Sequence, residues 1–140
     1  MTERTRVTIL RTSGFLLCAL GLLHLAVTHF IARLVASAAL PSAVAWLTPP
    51  MLLNHIVVGI LLLPLGALTV YAAPYNTPWA KIVTRAVALT VATLPPTLFA
   101  LMGTRYFAAV PFQVATAILC VAMLTLLSAA FWPSAGETRK

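Results

Sequence analysis

Three histidines are the residues of this sequence whose types and positions suggest chemistry. His24 and His29 lie in the segment LLHLAVTHFIARL, and His55 lies in LLNHIVVGILLLPLG. Both segments are otherwise almost entirely apolar. An imidazole can bind a metal ion or a haem iron through a ring nitrogen, and it can carry a proton near neutral pH. Ionisable groups at membrane depth mark candidate functional sites.

The elements that position these rings are predicted to be membrane-spanning helices. The chain has 140 residues, of which 61% are hydrophobic and 8% are charged, whereas a soluble domain carries about 25% charged residues. Its two acidic residues, Glu3 and Glu137, stand near the two ends of the sequence. So few charges cannot cover a water-facing surface, and we therefore expect an all-α integral membrane protein surrounded by the lipid bilayer.

Runs without charge locate four spans within a single transmembrane domain covering 1–140. A span needs about 20 mostly apolar residues, which places the spans near 11–33, 51–72, 82–104 and 110–132. Pro41, Pro49 and Pro50 are expected to break the second run. Residues 33–50 are therefore predicted to form an outer loop at the membrane interface, with a short helix near 42–47. Short connections between the other spans favour an up-down four-helix bundle.

The basic residues predict an orientation with both termini in the cytoplasm. With four spans, the side of the termini collects seven basic residues, namely Arg4, Arg6, Arg11, Lys81, Arg85, Arg139 and Lys140. The opposite side carries two, Arg33 and Arg105. Because cytoplasmic loops are enriched in Lys and Arg, this asymmetry indicates a multi-pass protein of a bacterial inner membrane. The net charge of +7 is then a signal for orientation, and we expect no nucleic-acid partner because no basic face is clustered.

Four glycines predict how the first two helices meet. Gly14 and Gly21 are seven residues apart, and so are Gly59 and Gly66. Seven residues return to the same face of a helix, and small residues allow close approach of helices in lipid. The first and second spans are therefore expected to pack through these faces.

Counting from the predicted span ends pairs His29 with His55. His29 precedes Arg33 by four residues and His55 follows Pro50 by five, so both rings are expected about 6 Å inside the outer boundary at about 1.5 Å per residue. His24 is expected about 7.5 Å deeper and about 140° around the helix. Other polar or sulfur-containing side chains are predicted at the outer level, and these are Arg33, Met51, Asn54, Met102 and Arg105.

Three interpretations of the histidines remain open from the sequence. The rings can simply fix helix packing through hydrogen bonds. Alternatively, His29 and His55 hold a b-type haem whose propionates contact Arg33 and Arg105. A third possibility is a metal ion, with copper the best match to histidine and methionine ligands at His29, His55, Met51 and Met102. Binding of a quinone or of a lipid head group is the remaining alternative, and Asn54 and His24 complete the candidate site.

The function favoured by these features is that of a small non-enzymatic membrane subunit that packs against other membrane proteins or against itself. The alternative is a cofactor-binding electron-transfer protein using His29 and His55. Proton-coupled transport usually needs an intramembrane carboxylate, and the predicted spans contain none. An intramembrane serine protease is disfavoured because Ser13 and Ser128 are predicted far from the histidines. A role as an enzyme is therefore less favoured.

Overall fold

Four α-helices make up most of the part of the protein that the structure describes. The computed structural model describes the backbone of residues 1–38, 41–102 and 110–132, and their side chains except at positions 35, 38, 41–47, 101–102 and 110–112. No strand occurs in these ranges. The helices are α1 (Glu3–Ala38), α2 (Pro41–Ala72), α3 (Pro78–Met102) and α4 (Val110–Ala130).

All four helices are long and apolar enough to cross a membrane, through the segments Glu3–Leu34, Thr48–Ala72, Pro78–Ala100 and Gln113–Ala130. The prediction of an all-α protein with four membrane-span-like helices is therefore confirmed. At about 1.5 Å per residue, α1 and α2 are about 54 and 48 Å long, and α3 and α4 are about 38 and 32 Å long. A hydrocarbon core is about 30 Å thick, so α1 and α2 are longer than a perpendicular span requires.

The predicted outer loop at 33–50 is wrong for the described residues. Residues 33–38 continue α1, and residues 41–50 form the beginning of α2 with Pro49 and Pro50 inside the helix. Proline has no N–H and leaves the carbonyl four residues earlier without its usual bond. Apolar membrane helices tolerate this loss because neighbouring groups satisfy the freed carbonyls. Helix α2 thus begins at Pro41, and Pro49 and Pro50 do not mark its start.

The helices are arranged so that each one packs against two others. Helix α1 contacts α2 and α4, and α3 contacts the same two helices. The most deeply buried large side chains are Leu10, Leu17, Val91 and Leu126. Leu10 and Leu126 lie toward the end of the bundle that holds the 73–77 turn, and Val91 lies near the middle of α3. No described side chain after Gly21 in α1, or before Gly59 in α2, is buried. Helices α1 and α2 are thus well buried toward the turn and more exposed toward their other ends.

Two glycine pairs set the antiparallel register between α1 and α2. A methyl group added to Gly66 would lie 2.5 Å from the Gly14 carbonyl oxygen, and one added to Gly59 would lie 3.0 Å from the Gly21 carbonyl oxygen. The backbones therefore touch at two levels, as the sequence predicted. At both levels the numbers of the two facing residues, one on α1 and one on α2, add up to 80. The same register predicts which residues of α1 and α2 face each other at the candidate site.

Candidate functional site

His24 is held by its own helix in a defined tautomer. Its Nδ1 lies 2.9 Å from the Leu20 carbonyl oxygen. Since a carbonyl only accepts hydrogen bonds, Nδ1 is the protonated nitrogen and donates. In the neutral ring, Nε2 then carries the lone pair. One turn later, the Thr28 hydroxyl donates to the His24 carbonyl at 2.8 Å. Both the ring and the backbone carbonyl of His24 therefore make hydrogen bonds within α1.

His55 of α2 faces His24 of α1 directly. The two ring centres are 4.7 Å apart and the ring planes are tilted by 34°. Both side chains are half-buried. The Nε2 atom of His55 is buried, and it has no hydrogen-bond partner among the described residues. An unpaired nitrogen at this depth costs free energy, which weakens the interpretation that the pair serves only to fix packing.

The expected pairing of His29 with His55 is replaced by that of His24 with His55. His29 is exposed, and the ring that contacts His55 belongs to His24. The reason is the glycine register, in which residue 55 faces residue 25. Helix α1 continues to Ala38 and α2 begins at Pro41, so depths counted from the predicted span ends were misplaced.

The remaining residues predicted for the site are exposed or lie outside the described side chains. Arg33, Met51 and Asn54 are all exposed. Arg105 lies outside the described residues, and the side chain of Met102 is not among those described. The site that the structure brings together therefore consists of His24 and His55.

A b-type haem does not fit between these two rings. Axial imidazoles on opposite faces of a haem would have ring centres about 6 Å apart, given metal–nitrogen bonds of about 2.0 Å, whereas the observed separation is 4.7 Å. Wider spacing would require α1 and α2 to separate. The contact between Gly21 and Gly59, one turn away, holds the two backbones together. The arrangement therefore disagrees with haem ligation by His24 and His55.

Larger metal-binding clusters are not found in the part of the chain that the structure describes. No group of three or more His, Cys, Asp or Glu residues lies close enough to share an ion there. The described cysteines, Cys18 and Cys120, are free thiols, and Cys18 Sγ donates to the Leu63 carbonyl at 3.5 Å. Any ion at the histidine pair would therefore have two protein ligands from these residues.

Arg6 and Arg85, which the sequence predicts only as signals for membrane orientation, form contacts between helices. Arg6 is 8% exposed. Its Nη2 donates to Glu3 at 2.7 Å and to the carbonyls of Ala73 and Tyr75 at 3.4 and 3.3 Å. Arg85 Nε donates to the Ala130 carbonyl at 3.2 Å, and its guanidinium lies 5.4 Å from the centre of the Phe131 ring. Each arginine thus bonds carbonyls at the C-terminal end of a neighbouring helix.

Aromatic residues surround the same end of the bundle. The rings of Tyr71, Tyr75 and Trp79 contact one another at centre distances of 5.5 to 6.2 Å. All three are exposed. Tyrosine and tryptophan rings prefer the membrane–water interface, so this cluster is suited to the level of the lipid head groups.

Comparisons with known proteins assign no family to this arrangement. No protein-family model, no curated protein and no solved structure matches the chain. The argument for function therefore rests on the helices and on the contacts described above.

Proposed function

We propose that the protein is a small non-enzymatic subunit of a bacterial inner membrane that packs against other membrane proteins or against a second copy of itself. Both termini are proposed to be cytoplasmic, with the helices in up-down order. The seven-to-two distribution of basic residues supports this orientation. The aromatic cluster of Tyr71, Tyr75 and Trp79 supports a membrane–water interface at the end of the bundle that carries the seven basic residues.

The observation that carries the proposal is the composition of the outer face of α3. Five exposed positions on this helix carry small side chains, namely Ala86, Thr90, Thr93, Thr97 and Ala100. They recur at intervals of three or four residues, which places them on one side of the helix. Small residues are enriched where membrane helices approach each other closely. Large exposed apolar side chains occur on α3 as well, at Ile82, Leu89 and Phe99, and on the other helices at positions such as Phe15, Leu61 and Leu124. The distinguishing feature of α3 is the unbroken row of five small residues.

Two of the three hydroxyls on this face bond carbonyls of their own helix. Thr93 donates to the Thr90 carbonyl at 2.8 Å, and Thr97 donates to the Thr93 carbonyl at 2.7 Å. At these two positions a partner helix can therefore approach without leaving a hydroxyl unpaired. This face favours association because its small side chains allow a partner helix to approach closely, and not because it offers interhelical hydrogen bonds.

The proposal is tested by the size of the complex and its dependence on Thr93. In mild detergent, the untagged protein is expected to run as an assembly larger than one 14.9 kDa chain with its micelle. Thr93→Phe places a large ring on the proposed contact face and should weaken association by about 1 kcal/mol or more. Light scattering coupled to size-exclusion chromatography measures the change.

Leu124→Phe on α4 is the matched control, because Leu124 is also exposed and lies outside the small-residue face. This variant should retain the assembly. A wild-type protein that is monomeric in nanodiscs and in mild detergent, with no co-purifying membrane protein, would contradict the proposal. Equal loss of association in the two variants would remove α3 as the contact face.

A further inference from the structure

We propose that His24 and His55 form a binding site for a single transition-metal ion of the copper class, held between α1 and α2 by one nitrogen of each ring. The proposal is independent of the role of the α3 face. It replaces the expected pairing through His29, and it rests on the orientation of two imidazoles.

The first observation is that His24 is prepared as a ligand. A metal-binding histidine nearly always donates its other ring N–H to a carbonyl or carboxylate, which fixes the tautomer and raises the basicity of the ligating nitrogen. His24 makes this contact through Nδ1 and the Leu20 carbonyl. Its Nε2 is thereby left as the lone-pair nitrogen.

The second observation concerns the nitrogen that His55 leaves unpaired. Its Nε2 is buried without a hydrogen-bond partner among the described residues, and the centre of its ring lies 4.7 Å from the centre of the His24 ring. Two histidines serving only as packing elements would be expected to pair their buried nitrogens. A direct hydrogen bond between the two rings would satisfy this nitrogen within the protein, but no such bond is formed. A cation bound by one nitrogen of each ring would satisfy both nitrogens at once.

The distance between the two rings suits a single metal ion whose bonds to the two ring nitrogens meet at about a right angle. With metal–nitrogen bonds of about 2.0 Å, two imidazoles bound to one ion at about a right angle have ring centres about 4.5 Å apart. The observed separation is 4.7 Å. Ligands at a right angle leave further coordination positions open to water or to a small molecule. The half-exposed surroundings of both rings provide access to those positions.

The donor set determines the class of ion. Structural zinc sites almost always have four protein ligands, and among the described His, Cys, Asp and Glu residues only His24 and His55 are close enough to share an ion at this place. Imidazole suits copper, and Cu²⁺ binds most tightly among the divalent ions of its series to a given nitrogen site. Hard ions such as Mg²⁺ and Ca²⁺ prefer oxygen ligands and are not expected here.

The test is a titration of the full, untagged chain in nanodiscs with copper(II) alone, followed by calorimetry and by electron paramagnetic resonance. We expect one ion per chain and hyperfine coupling to two imidazole nitrogens. His24→Gln and His55→Gln should each raise the dissociation constant at least about tenfold, since even indirect changes around a metal cost 10- to 100-fold. The remaining signal should show coupling to one imidazole.

His29→Gln is the matched control because His29 is an exposed histidine of the same helix. This variant should bind copper as the wild type does. Helix content measured by circular dichroism identifies any variant that fails to fold, and His55→Asn then replaces it as a smaller test. Unchanged binding in both the His24 and His55 variants, or equal loss in the His29 variant, would overturn the proposal.

Discussion

Arg6 and Arg85 show how single charged residues stabilise helix ends in this protein. Arg6 of α1 bonds carbonyls that follow the end of α2, and Arg85 of α3 bonds the last carbonyl of α4. The final carbonyls of a helix have no partner within the helix, and they carry the negative end of its dipole. A guanidinium placed there from the neighbouring helix satisfies these groups and ties two helices together.

Loss of the Arg6 side chain should destabilise the protein. Arg6→Ala removes the ion pair with Glu3 and two hydrogen bonds to carbonyls. Because hydrogen bonds to charged groups contribute about 1.5–3 kcal/mol, and because Glu3 stays partly hydrated, we expect a loss of about 2 kcal/mol. The measurement is the free energy of unfolding by denaturing detergent in mixed micelles.

Arg4→Ala provides the comparison for this prediction. Arg4 lies in the same first turns of α1 but is exposed, so its removal should change the unfolding free energy by less than about 0.5 kcal/mol. If Arg4→Ala and Arg6→Ala destabilise the protein equally, the interhelical bonds of Arg6 do not provide the stability assigned to them.

At the scale of elements, the contact between α1 and α2 determines which residues meet. The Gly14–Gly66 and Gly21–Gly59 contacts leave no room for a side chain. Elsewhere the helices are joined by sparse polar contacts, such as the 2.7 Å hydrogen bond between Ser13 and Thr125 of α1 and α4. Thr125 also donates to its own helix, so Ser13 is the donor in this bond.

Filling one glycine contact should separate α1 from α2. In Gly66→Ala, the added methyl would lie 2.5 Å from the Gly14 carbonyl oxygen and 2.6 Å from Cys18 Sγ. Backbone cannot move as freely as a side chain, so we expect a destabilisation of about 2–3 kcal/mol, at the upper end of typical overpacking effects. Unfolding in mixed micelles again measures it.

Ala67→Val is the matched control for the glycine contact. Ala67 is the next residue of α2 and is exposed, and the substitution also adds apolar volume. Its effect on the unfolding free energy should stay within about 0.5 kcal/mol. A Gly66→Ala protein as stable as the wild type would show that the two backbones do not touch at this level.

The sequence could predict the helices and the glycine contact but not the histidine pair. Composition alone requires four apolar spans, because nine basic and two acidic residues cannot solvate a globular surface. The seven-residue glycine spacing, read as an antiparallel register with facing numbers that sum to 80, already places His55 opposite residue 25. Counting depth from span ends failed because Pro49 and Pro50 do not end a helix here.

Other features depend on three-dimensional contacts that no local pattern encodes. Arg6 and Arg85 resemble any other basic residue near a span end, and only the position of a neighbouring helix end gives them carbonyl partners. The same holds for the unpaired Nε2 of His55, since hydrogen-bond satisfaction is a property of the assembled bundle. The prediction of a site at Arg105 and Met102 lies outside the described side chains.

At the scale of the whole molecule, the two ends of the bundle differ in packing and in charge. The end with the 73–77 turn has the buried parts of α1 and α2, both interhelical arginine contacts and the aromatic cluster. The other half holds the histidine pair, where the side chains of α1 and α2 are more exposed. In the proposed orientation, the tight basic end lies at the cytoplasmic surface and the open histidine end lies toward the outside.

The orientation of the two ends is the claim about the whole molecule that can be tested most directly, and thiol labelling in intact spheroplasts tests it. With Cys18 and Cys120 replaced by Ala, single cysteines are introduced as Ser37→Cys near the end of α1 and as Asn76→Cys in the turn before α3. Both positions are exposed. A membrane-impermeant maleimide should label the Ser37→Cys protein at once and the Asn76→Cys protein only after permeabilisation. Labelling of both before permeabilisation, or of Asn76→Cys alone, would contradict the account.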